Sequence, residues 1–173
     1  NFQKAVEDFS KAIELDPNCV EAFHRRAAAT FNLGKYAESL PDFDKAVNLA
    51  PANAEIRRNR ALPLMHLRQF DKAIEDLEIA IQAEPSTAVQ SNKLLSSIYY
   101  AKAYDLETRQ KYADALEESS RAVLLNPSPM NYQQRGILYY KLMQYQKSVD
   151  DLTEAIKQAP EVPWHYEKRA LSY

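Results

Sequence analysis

Three histidines, one cysteine and a series of cation–acid pairs are the side chains here whose types suggest chemistry. The histidines, His24, His66 and His165, are far apart in the chain. Imidazoles hold zinc when a cysteine, carboxylate or third imidazole completes the ligand set. No HExxH or CxxC pattern surrounds any of the three, so they imply no metal site. Cys19 and the serines and threonines stand in no nucleophile-elbow or triad context. No catalytic residue and no cofactor follows from these groups. The charged pairs are more regular. Arg26 precedes Asp42 by 16 residues, and the same interval separates Arg60 from Asp76, Lys102 from Glu118 and Arg135 from Asp151. Acid–base catalysis needs one such pair at one site. Four in phase read instead as structural ion pairs, each worth about 0.2–1 kcal/mol if exposed.

A separation of 16 residues joins two side chains across a helical hairpin whose turn lies midway between them. The rest of the sequence repeats on the scale of such a hairpin. The motif KAIELDP, ending at Pro17, returns at Pro51, Pro85, Pro127 and Pro160, at intervals of 34, 34, 42 and 33 residues. Five residues before each proline stands an alanine: Ala12, Ala46, Ala80, Ala122 and Ala155. Fifteen before stands an aromatic: Phe2, Tyr36, Phe70, Tyr112 and Tyr145. A period of this length marks a repeat architecture, in which one unit cannot bury its apolar face alone. Each unit reads as two helices with a break near Gly34-Lys35 or its equivalent, and the proline stops the second helix. Asn18, Asn53, Ser86-Thr87 and Ser128, with Pro129 behind it, supply cap chemistry for the first helices.

With its 34-residue period and its small, aromatic and proline positions, the chain resembles a tetratricopeptide repeat (TPR) protein over essentially all of its length. Ala27, Ala61, Ala103, Gly136 and Ala170 match the small residue of the first helix. Phe23, Tyr99, Tyr132 and Tyr166 match its early large residue, from which Arg57 departs. The resemblance implies an all-α fold, a right-handed α-α superhelix of antiparallel helix pairs. The expected organisation is one array: a half-repeat at 1–19, repeats at 20–53, 54–87, 88–128 and 129–162, and a half-repeat at 163–173. The uncapped ends, with Phe2, Phe9, Tyr166 and Tyr173, are expected to belong to a longer array and to self-associate when isolated.

The pattern breaks in two places. The interval of 42 carries eight extra residues near 86–95, either a first helix about 12 Å longer or a longer connector. Pro63 lies inside EIRRNRALPLMHL, where a proline removes one helical hydrogen bond. Whether it reshapes the surface or is absorbed by packing stays open at this level.

Composition narrows the function classes. A formal net charge of −2 offers no electrostatic footprint for nucleic acid. No apolar run is long enough to cross a membrane, and NFQKAVEDF carries acids that a secretory signal peptide lacks. One cysteine excludes an internal disulfide framework and points to a reducing, cytoplasmic setting. The first helices of TPR proteins line a concave groove. By that resemblance the groove residues are His24, Arg25, Phe31 and Asn32, then Arg58, Asn59, Met65 and His66. They continue with Tyr100 and Tyr104, and then Gln133, Gln134, Tyr140 and Lys141. Aromatics, methionine, arginine and amides suit protein recognition, so the expected partner is an extended peptide or a helix of another protein. A TPR subclass holds acidic chaperone tails with Lys, Asn and Arg. Here only Asn59 matches, because His24, Ala28, Ser97 and Ala101 stand at the other sites. The two functional expectations are a non-enzymatic scaffold or adaptor, and a recruiting arm of a larger enzyme such as a glycosyltransferase or phosphatase.

Overall fold

A computed structural model describes residues 1–173 as ten α-helices, a single 3-10 turn and no strand. The helices are α1 (Phe2–Leu15), α2 (Val20–Asn32), α3 (Tyr36–Leu49), α4 (Ala54–His66), α5 (Phe70–Ala83), α6 (Ala88–Thr108), α7 (Tyr112–Leu125), α8 (Pro129–Lys141), α9 (Tyr145–Gln158) and α10 (Pro163–Ser172). Two compact units result, Asn1–Ser91 and Asn92–Tyr173.

In the first unit each of α1 to α4 packs on the next helix in the chain. Its core gathers Phe23, Ala27, Phe43, Ala46, Val47 and Ile56. In the second unit α7, α8, α9 and α10 pack in the same sequential way. Lys102 joins the α6 side to α7 through Glu118. Leu95, Ile98, Ala103, Ala115, Ala122, Leu138, Leu152 and Ala155 are buried there. Small residues recur where helices approach. Ala27, Ala46, Ala61, Ala80, Ala103, Ala122 and Ala155 have no exposed surface. At Gly136 a Cβ would stand 3.0 Å from Leu152 Cγ.

The repeated proline acts through the residue before it. Asp16, Ala50, Glu84, Asn126 and Ala159 all leave the helix with φ between −136° and −149°, the backbone a following proline enforces. The turn inside each hairpin is equally uniform. Gly34 takes φ +78°, its N–H donates to Phe31 O and the N–H of Lys35 donates to Thr30 O. This is a Schellman end. Arg68, Gln110 and Met143 occupy the same place with φ of 58–61° and the same bond pair.

Three local expectations are corrected or resolved. Asn18 does not cap α2: Cys19 holds that position, and the Asn18 amide donates to Asp16 Oδ1 instead. Asn53 and Ser128 do cap, accepting from the amides of Ile56 and Asn131. The extra residues of the long interval are helical, since α6 has 21 residues where α8 has 13. Helix α4 runs through Pro63, which is fully buried.

Candidate functional site: the first-helix face

The charged residues spaced by 16 meet as ion pairs. Arg26 donates to both oxygens of Asp42 at 2.6 and 2.7 Å, and Arg135 to both of Asp151 at 2.7 and 2.8 Å. Arg60 forms the same fork on Asp76 at 2.7 and 2.6 Å, while Lys102 reaches Glu118 at 2.8 Å. Three of the four acids are buried. Asp76 is 1% exposed, and Asp151 and Glu118 are also buried, because the hairpin closes over them. The hydrogen bonds to Asp42 and Asp151 raise the pKa values of Arg26 and Arg135. Arg57, the departure from the aromatic position, donates a third bond to Asp76 and another to Pro51 O.

The arginines also reach backwards, which the forward spacing did not disclose. Arg26 donates to Ser10 on α1, Arg60 to Asp44 on α3 and Arg169 to Thr153 on α9, each 16 residues earlier. One guanidinium of α2 or α4 therefore ties its own hairpin to the helix before it.

The residues expected on the first-helix face divide into tied and free groups. In the first unit His24 is 1% exposed, which corrects its placement on a contact surface. Its Nε2 lies 2.8 Å from Asn59 Nδ2. An amide nitrogen only donates, so Nε2 accepts and Nδ1 carries the proton, 3.9 Å from Glu21. Burial holds the His24 pKa below its ordinary value. Arg25 pairs with Glu21 at 2.6 Å and approaches Glu55 at 3.8 Å. Arg58 donates to Thr87 at 2.6 Å and Glu84 at 3.3 Å, so it braces the end of α5. Asn32 donates to Ala28 O. Phe31, Tyr36 and His66 form an aromatic group in which His66 stacks on Tyr36 with ring centres 4.2 Å apart. Met65 is half-buried.

In the second unit Gln134 is buried and donates to Tyr100 O at 3.0 Å, so it too is withdrawn from contact. Gln133 meets Nε2 of buried His165 at 2.9 Å. Lys141 pairs with Glu107 at 2.9 Å and lies over the Tyr112 ring. Tyr140 packs edge-on against Tyr145. Tyr104 and Met130 remain 59% and 60% exposed, and Tyr140 40%. A cavity of about 240 Å³ lies among Tyr140, Lys141, Ile137, Trp164 and Lys168, with Glu107 at its wall. A second, of about 480 Å³, lies between α6 and the start of α8. The three histidines thus sit in three separate environments, and no three His, Cys, Asp or Glu groups converge as a metal site.

A family model described as the tetratricopeptide repeat matches residues 1–54 and 24–88, more than half of the chain. The chain belongs to the TPR family. Solved TPR-type folds resemble it along most of its length. MamA from Desulfovibrio magneticus RS-1 is 19% identical, covering 92% of this chain and 86% of its own, with a TM-score of 0.68. The C-terminal part of a TPR repeat-containing protein from Cytophaga hutchinsonii is 19% identical over 99% of this chain and 65% of its own, with a TM-score of 0.72. A thermophilic TPR protein from Thermus thermophilus is 16% identical over 99% and 90%, with a TM-score of 0.50. At these identities the likeness is one of fold. No curated protein matches the sequence. TPR proteins are generally non-enzymatic scaffolds for protein contacts. No helix of this TPR chain is long and apolar enough to cross a membrane.

Proposed function

We propose that the chain is a protein–protein interaction scaffold or adaptor that holds a peptide or helix of a partner on the face of its first helices. The observation that carries this reading is the exposed apolar surface of Tyr104, Met130 and Tyr140 on α6 and α8. Aromatic and methionine side chains left in water beside shallow cavities are the usual anchors of a protein contact. The charged side chains expected on the first helices do not compete for that role. Lys141, Arg25 and Arg58 are already paired with Glu107, Glu21 and Glu84. An enzyme-recruiting arm would use the same face, so both functional expectations share this surface.

Alanine at Tyr104 and Tyr140 together is expected to lower capture of the native partner at least about tenfold while leaving the helical spectrum and melting midpoint unchanged. Capture that survives this change, but is lost when the second-helix residue Leu124 is replaced by glutamate, would move the contact to the opposite face.

A further inference from the structure

The cavity between α6 and α8 has an unusual wall. It is lined by Ser96, Ser97 and Tyr100 on α6, Asn126 in the connection after α7, and Met130 and Asn131 on α8, with Ser128 and Pro129 at its edge. None of these eight residues carries a charge. Asn131 is 5% exposed, and its Nδ2 is engaged by Ser96 Oγ at 2.9 Å, Asn126 O at 2.7 Å and Ala122 O at 3.2 Å. Ser96 Oγ itself donates to Ala122 O. Three inward acceptors fix the orientation of the amide. Its Oδ1 is left without a donor, on a residue that lines the cavity. At the corresponding place the other first helices carry Ala22, Ile56, Ile98 and His165, all buried. An amide locked in this way with its acceptor unused leaves a hydrogen-bond acceptor available to a ligand.

The rest of the lining sets the kind of donor it fits. Met130 offers an adaptable apolar surface beside the Tyr100 ring. An uncharged wall disfavours a charged side chain, which would lose its water without gaining a counter-ion. A backbone N–H next to an uncharged apolar side chain satisfies both features.

We propose that this cavity is a subsite for one residue of an extended polypeptide: a backbone N–H donates to Asn131 Oδ1, and an uncharged apolar side chain seats against Met130 and Tyr100. The assignment rests on the first-helix reading above and narrows it to a partner segment without charge at that residue.

The test is a titration of the isotope-labelled full chain with capped tripeptides, followed by nuclear magnetic resonance. The reference probe has leucine between two serines, acetylated and amidated. It is expected to shift the amides of residues 97–100 and 128–131, and the side-chain amide of Asn131, in a saturable manner. Glutamate or lysine in place of leucine, N-methylation of the leucine, and the exposed-site variant Met130→Glu are each expected to weaken the response by about tenfold or more. No saturable shift at those residues overturns the assignment. Equal responses to the leucine, glutamate, lysine and N-methyl peptides overturn it as well. Shifts gathered instead at Tyr104 and Tyr140 also overturn it, while leaving the first-helix reading standing. The titration reports on this cavity and the capture experiment on the whole face, so either can fail without the other.

Discussion

Arg60 and Asp76 face each other through two parallel hydrogen bonds of 2.7 and 2.6 Å, on a carboxylate that also accepts from Arg57. The pair lies across the α4–α5 hairpin and is sealed from water on the acid's side. Removing one partner of a buried pair leaves an uncompensated charge and costs about 3–5 kcal/mol. Asp76→Ala is therefore expected to lower stability by that amount in urea unfolding followed by circular dichroism. Glu14→Ala, which breaks an exposed pair with Lys11, is expected to change it by about 0.5 kcal/mol or less. Equal losses for the two variants would remove the 16-spaced ion pairs from their structural role.

The hairpin turns allow a change in the opposite direction. A non-glycine residue in the left-handed region costs about 1–2 kcal/mol, and glycine there recovers most of it against about 0.5–1 kcal/mol of chain entropy. Gln110→Gly and Met143→Gly are each expected to stabilise by about 0.5–1 kcal/mol. Gly34→Ala, at φ +78°, is expected to destabilise by a comparable amount. Thermal melts of the three variants check the signs.

His24 gives the stability a pH dependence with a fixed sign. Its pKa in the folded chain lies below the unfolded value of 6.5, first because of burial, with Arg25 adding to the effect and Glu55 and Glu21 opposing it. The unfolded chain then binds the proton first as pH falls. The contribution is complete above pH 6.5 and declines below it, with a slope of at most about 1.4 kcal/mol per pH unit. His24→Gln is expected to flatten that part of the curve. An unchanged slope between about pH 7 and 5 would show that another group sets it.

Gly136 tests how closely α8 and α9 approach. Gly136→Val is expected to cost about 1–3 kcal/mol by forcing Leu152 aside. Gly136→Ala is expected to be nearly neutral, since alanine's helix preference of about 1 kcal/mol offsets the small displacement. Ala61 and buried Leu77 occupy the matching positions in the first unit. Urea midpoints of the two variants distinguish a tight contact from a loose one.

The helix pairs were legible because their signals are chemical. A proline forces the preceding residue to extend, an alanine admits a close neighbour, and the charges 16 apart named Arg60 and Asp76 before any coordinates. The burial of His24 was not legible. It adjoins exposed Arg25 on α2, and the amide of Asn59 that meets its ring lies on the next hairpin, 35 residues away. Nor did the sequence disclose that Arg68, Gln110 and Met143 adopt the backbone of Gly34, since none of them advertises a left-handed turn. Arg58 read as a contact residue because its partners, Glu84 and Thr87, lie 26 and 29 residues away with no fixed spacing to reveal them. Asn131 did carry a signal, since it and His165 are the polar residues in the column of Ala22, Ile56 and Ile98, and reading each helix position across repeats would have found both.

The central claim, that first-helix side chains meet the partner, is tested most directly by photo-crosslinking in the assembled complex. A benzophenone amino acid placed at Tyr104 is expected to crosslink to the partner, and the same group at Leu124, an open position on α7, is expected not to. Crosslinks from Leu124 with none from Tyr104 would contradict the account.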